Sequence, residues 1–165
     1  MKFDQFQFLA GQTFGQLGVN GRPSERFAEA DARSLPPLVL AYIGDAFFNL
    51  YVRTRLLAFE QNRVRVLHSY GARMVSATLQ AHALRQLEDE LTEEEQSVIR
   101  RGRNAKSTVP KSASVGDYRA STGLEALLGY LYLRGDEARL TALAEKIFVI
   151  ISGKLANPVE NGEEK

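Results

Sequence analysis

From Leu35 to Ile151 the apolar residues recur three and four places apart, and no segment sustains the every-second-residue alternation of a strand. Helices with one apolar stripe must bury it against other helices when no sheet is available. The pattern therefore predicts an all-α domain, and a chain of 165 residues is long enough to give it a real core.

The stops and starts divide this pattern. Ser34 followed by Leu35-Pro36-Pro37 reads as a serine cap with proline in the first turn, so a first helix is expected over 35–58. A second is expected over 62–87, carrying Val64, Leu67, Gly71, Met74, Val75, Leu79 and Leu84. In "LTEEEQSVIRR", Thr92 and Glu95 match a capping box, with acids opening the helix and Arg100 and Arg101 closing it. "GRNAKSTVPKSASVGDYRA" (102–120) reads as a long loop, and "STGLEALLGYLYLRG" (121–135) as a helix ended by Gly135. Asp136 can cap a last helix that buries Leu140, Leu143, Ile147, Phe148 and Ile151. Glycines and Pro23 break up the first 33 residues, whose phenylalanines are expected to pack on the body. The expected division is a partly ordered extension (1–33), one helical domain (34–155) and a disordered polar tail (156–165).

Composition excludes several classes of protein. There is no cysteine, which rules out a disulfide framework and thiolate metal sites. The two histidines, His68 and His82, lie 14 residues apart on one expected helix, about 21 Å, and cannot share a metal. No apolar run approaches the roughly 20 residues of a membrane span. The first residues lack the basic and apolar regions of a secretory signal, and with no cysteine the expected setting is a reducing one: the bacterial cytoplasm, with the plastid stroma as the equivalent compartment.

Two carboxylates stand out. Asp45 lies within "LVLAYIGDAFFNLYVR" among Tyr42, Phe48 and Val52, and Glu125 lies among Leu124, Leu127, Leu128 and Tyr132. A carboxylate on a packing face is costly unless something compensates it. If the two helices cross there, Asp45 and Glu125 can hold one hard divalent cation through oxygen. Such an ion activates water and stabilises charge developing on a phosphate. The other reading is that each acid bonds a backbone group or a nearby arginine such as Arg53, or merely lies at the edge of the face.

A third feature is a concentration of cations. Arg100, Arg101, Arg103, Lys106, Lys111 and Arg119 fall within twenty residues whose one acid is Asp117, although the whole chain carries a net charge of only +1. With Asn104 and several serines, this reads as a phosphate-binding footprint or as a solvated loop after ordinary helix-terminal arginines.

Three stretches, "LAYIGDAFFNLYVR", "RRGRNAKSTVPKSASVGDYRASTGLEALLGYLYL" and the "LH…VSATLQ" of the second helix, together resemble Mini-ribonuclease III. This family has a ribonuclease III catalytic domain without the appended double-stranded-RNA-binding domain. The resemblance spans residues 35–153. It implies a ribonuclease III-like helical bundle, a homodimer, and Mg²⁺-dependent cleavage of double-stranded RNA, with Mn²⁺ as an alternative ion. It further implies 5′-phosphate products and maturation of large-subunit (23S) ribosomal RNA precursors. By the same resemblance, Asp45 and Glu125 are the catalytic and metal-binding acids. The local excess of charge then makes Arg100, Arg101, Arg103, Asn104, Lys106, Lys111 and Arg119 the expected RNA contacts. Conventional ribonuclease III carries two more acids, four residues before the aspartate and three before the glutamate. Ala41 and Thr122 occupy those positions here. That departure keeps open a double-stranded-RNA-binding protein without cleavage activity. A helical interaction protein is the remaining rival.

Two smaller expectations concern aromatic residues. Tyr42 is expected in the core with a bonded hydroxyl. Phe47, Phe48 and Tyr51 give the first helix more aromatic surface than one core stripe needs, so they are expected at a dimer interface.

Overall fold

The computed structural model describes residues 4–15, 31–106, 108 and 113–157. Seven α-helices are present among them, and no strand: α1 (Gln5–Gly15), α2 (Pro37–Leu56), α3 (Val64–Met74), α4 (Ala77–Leu87), α5 (Glu93–Arg103), α6 (Val115–Leu133) and α7 (Glu137–Ala156). A 3₁₀ turn, Glu88–Glu90, precedes α5. The chain divides into two units, Met1–Asp31 and Ala32–Lys165. The first contains α1, whose first turn is capped by Asp4, its Oδ1 accepting from the amides of Phe6 (3.0 Å) and Gln7 (3.2 Å). Gly11 lies inside that helix, so the glycines do not exclude an element of eleven residues there.

The second unit is built around α6, which packs against α2, α4, α5 and α7. Along α6, Leu124, Ala126, Leu127, Leu128 and Tyr130 are almost wholly buried. Leu40, Phe48 and Val52 of α2, Leu84 of α4, and Leu143, Ile147 and Ile151 of α7 close around them. Burial of each such side chain contributes about 1.5–3 kcal/mol.

The helix ends follow local chemistry. Both halves of the α5 capping box form: the Glu95 amide donates to Thr92 Oγ1 (3.2 Å) and the Thr92 amide to Glu95 Oε2 (2.8 Å). Glu95 is buried and also accepts from Arg139 of α7 through both carboxylate oxygens, at 2.7 and 2.9 Å. Gly135, at φ 71°, closes α6: the Gly135 amide donates to the Tyr132 carbonyl and the Asp136 amide to the Leu131 carbonyl. Asp136 caps α7 through its Oδ1, which accepts from the Arg139 amide.

Three expectations are corrected. The single helix over 62–87 is two, because Val75 and Ser76 leave helical geometry between α3 and α4. The carbonyl of Val75 is taken by the side chain of Gln80 (2.9 Å). Second, α6 begins at Val115 rather than 121, since Ser114 Oγ accepts from the Asp117 amide (3.0 Å) and caps it. Tyr118 and Arg119 therefore stand on a helix, and the connection from α5 shortens to Asn104–Ser114. Third, Tyr42 is 75% exposed and not in the core.

Candidate active site

Asp45 and Glu125 come together because α2 and α6 cross with almost nothing between them. A Cβ on Gly44 would overlap the Glu125 carbonyl oxygen and lie 2.7 Å from the Gly129 amide nitrogen. A Cβ on Gly129 would overlap the Leu40 carbonyl oxygen. Only paired glycines permit this approach. Asp45 is the next residue after Gly44, and Glu125 lies one turn before Gly129, so the crossing places both acids at its edge.

Their environments differ from what the apolar pattern suggests. Asp45 is exposed, while Glu125 is half-buried. Burial, and then the charge of Asp45, push the Glu125 carboxyl up to about 7, against a hydrogen bond from Gln80 that works the other way. Two carboxamides serve the two acids. Asn49 Nδ2 donates to Asp45 Oδ1 (2.9 Å) and Gln80 Nε2 donates to Glu125 Oε1 (3.0 Å). Among the described residues no ion pair joins either acid to Arg53 or to any other base.

Gln80 and Asn49 were not singled out in the sequence. The signal for Gln80 was present: Ala83, Leu84 and Leu87 at i+3, i+4 and i+7 are all buried, so a glutamine occupies an apolar stripe. Ala41 and Thr122 are both buried, and the Thr122 hydroxyl donates to the Tyr118 carbonyl (2.9 Å). No group of three or more potential His, Asp or Glu ligands exists among the described residues. The donor set is two carboxylates, each with one oxygen engaged by a neutral amide. Hard oxygen donors with no ion-paired base among the described residues suit a divalent cation that keeps several waters and favours the ionised form of Glu125.

The cations divide into different roles. The end of α5 packs on α6 within a turn of Glu125: a Cβ on Gly102 would lie 2.8 Å from Gly123 Cα, and one on Gly123 would lie 2.9 Å from Arg103 Cγ. Arg100, Arg103, Asn104 and Lys106 are exposed there, as is Arg119 on α6. Arg100 and Arg103 line a groove of about 330 Å³ with Glu88 and Asp89. Arg101 differs, donating to the Arg33 and Leu35 carbonyls at 2.8 and 2.7 Å and so tying α5 to the segment before α2. Asp117 is ion-paired with Arg85 at 3.2 Å. Lys111 lies outside the described residues.

The aromatic residues expected at an interface are used within the chain. Phe48 is fully buried. Phe47 packs against Tyr51 (6.1 Å) and Tyr132 (6.0 Å), and Tyr51 against Phe148 (6.4 Å). The Tyr51 hydroxyl donates to Glu145. Exposed apolar surface lies instead along Val39, Tyr42 and Leu50 of α2, at helical spacing on its outer side, and Leu57 just past its end.

An all-α domain with paired acids at one helix crossing and a flanking set of cations has the makings of a phosphodiester-cleaving nuclease domain. The model of the ribonuclease III domain family matches residues 38–136, from α2 to the end of α6. A Mini-ribonuclease 3 from Symbiobacterium thermophilum is 52% identical over 117 residues, covering 70% of this chain and 90% of that protein. Another, from Clostridium tetani, is 38% identical and covers 86% and 95%. A crystal structure of a Fusobacterium nucleatum protein superposes with a TM-score of 0.66 at 31% identity, covering 71% of this chain and 96% of that one. The chain belongs to the ribonuclease III family, in its Mini-ribonuclease 3 branch, and is an endoribonuclease, a hydrolase of RNA. No described helix is long and apolar enough to cross a membrane.

Proposed function

We propose that this endoribonuclease is Mg²⁺-dependent and cuts double-stranded RNA at a site formed by Asp45 and Glu125. The observation that carries this reading is the meeting of the two acids at the Gly44–Gly129 crossing, where no described residue forms an ion pair with either. A divalent cation bound there supplies Lewis-acid stabilisation of charge on the scissile phosphate and a water activated for attack. Asp45 and Glu125 hold the ion. The amides of Asn49 and Gln80 fix one oxygen of each acid. Arg100, Arg103, Asn104, Lys106, Lys111 and Arg119 take the RNA backbone, through phosphates and 2′-hydroxyls. The products carry 5′-phosphate and 3′-hydroxyl ends.

Each site cuts one strand, and a two-fold dimer cuts both. The face of α2 carrying Val39, Tyr42 and Leu50, continued by Leu57, supplies a self-complementary apolar surface for that dimer. The substrate we favour is the paired ends of large-subunit ribosomal RNA precursor, met in the cytoplasm. The domain division into 1–33, 34–155 and 156–165 belongs to the same reading.

A labelled RNA duplex incubated with the protein, with and without Mg²⁺, tests it. Cleavage is expected only with the ion, and Asp45→Asn and Glu125→Gln are expected to abolish it. Cleavage without the ion, or cleavage by either variant at the unmutated rate, would overturn this reading of the site.

A further inference from the structure

We propose that Gln80 is a positioning residue for the metal site, holding Glu125 in the orientation that receives the cation. This rests on the reading of Asp45 and Glu125 as that site. Gln80 is 1% exposed and comes from α4, a helix that provides neither acid. Its Nε2 has two protons and two acceptors, Glu125 Oε1 at 3.0 Å and the Val75 carbonyl at 2.9 Å. Turning the amide over would set its oxygen against both acceptors, so the orientation is fixed. One oxygen of Glu125 is thereby held, and no described residue bonds the other.

The chemistry of the side chain matters as much as its place. A lysine or arginine here would neutralise Glu125 and compete with the cation. An acid would add to the repulsion from Asp45. A buried amide orients the carboxylate and leaves its charge for the ion. Partners of this kind commonly alter metal affinity strongly without touching the metal. Gln80 Oε1 is a buried acceptor with no donor among the described residues. Asn49 relates to Asp45 in a similar way, but on the same helix and partly exposed. Gln80 acts across two helices, which makes it the stronger constraint.

Calorimetric titration of Mg²⁺ into the RNA-free protein tests this, with Gln80→Leu, Gln80→Met, Glu125→Gln and the double variant Gln80→Leu/Glu125→Gln. The Gln80 variants are expected to bind the ion about tenfold or more weakly, and Gln80→Leu to add nothing once Glu125 is changed. Excess Mg²⁺ is expected to restore their cleavage rate, which a merely structural defect would not allow. In the unmutated protein, the Gln80 side-chain amide resonances are expected to shift on adding Mg²⁺, a readout that needs no variant. If Glu125→Gln binds Mg²⁺ normally, the site reading itself fails. If Glu125→Gln is impaired while the Gln80 variants bind normally, or if the Gln80 amide resonances do not move, the role of Gln80 alone is overturned.

Discussion

Gly44 of α2 and Gly129 of α6 meet backbone to backbone, so that a Cβ on Gly129 would lie 2.9 Å from the Gly44 nitrogen. The contact is structural, but its consequence is chemical. It brings two helices close enough for the acid beside one glycine to raise the pKa of the acid a turn from the other.

Gly44→Ala and Gly129→Ala are therefore expected to destabilise the protein and remove cleavage together. Each new methyl meets backbone, which cannot rotate away, so the loss should reach or exceed the roughly 1–3 kcal/mol of ordinary overpacking. Gly153→Ala on α7 is the control, since a Cβ there meets nothing within 4 Å. It should be neutral or stabilising by up to about 1 kcal/mol. Urea denaturation and duplex cleavage measure both effects.

The raised pKa of Glu125 has a definite sign for stability. Between its ordinary value near 4.5 and about 7, the folded state holds a proton that the unfolded state has lost. Without metal, stability should fall as pH rises through that window, by on the order of 3 kcal/mol in full. Glu125→Gln should flatten the dependence and be the more stable protein near pH 8. Bound Mg²⁺ should flatten it too, by favouring the ionised form. At limiting Mg²⁺, cleavage should weaken as pH falls below about 7. Thermal melts across pH 4–9 decide the matter, and a Glu125→Gln profile parallel to wild type would contradict it.

Arg101 and its neighbours should separate in their phenotypes. Arg101→Ala removes two charged hydrogen bonds to the carbonyls of Arg33 and Leu35, and should cost about 1–3 kcal/mol of stability with little change in salt-dependent RNA affinity. Replacing Arg103, Lys106 and Arg119 with alanine should do the reverse. If all three contact phosphates, the slope of log affinity against log salt should fall by roughly 2 to 3 units. Fluorescence anisotropy on a duplex at several salt concentrations distinguishes the two classes.

Tyr42→Glu and Leu50→Lys should disrupt the dimer while leaving the folded protomer intact, because both side chains are exposed in the single chain. Phe48→Ala should instead unfold it, with a loss of about 3–5 kcal/mol, since Phe48 is core. Light scattering at micromolar concentration reads the assembly directly, and a monomeric wild type would dismiss the interface.

Much of this protein is written in short range. The all-α class, the Thr92–Glu95 box, Gly135 at the end of α6 and Asp136 at the start of α7 depend on residues within a turn of one another. A sequence displays such relationships directly. The two acids were visible as carboxylates in apolar surroundings. The sequence could not say which of them carried the burial, because exposure depends on neighbouring helices. Periodicity placed Asp45 on a packing face, yet the crossing leaves it at an open edge and encloses Glu125. The same periodicity ran α3 and α4 together, because a turn at Val75–Ser76 barely disturbs the apolar spacing. The bond from Gln80 to Glu125, the separate task of Arg101 and the outward position of Tyr42 were decided by tertiary structure alone. Each depends on contacts between residues 45 or more positions apart, or on their absence, and only the packed helices determine those.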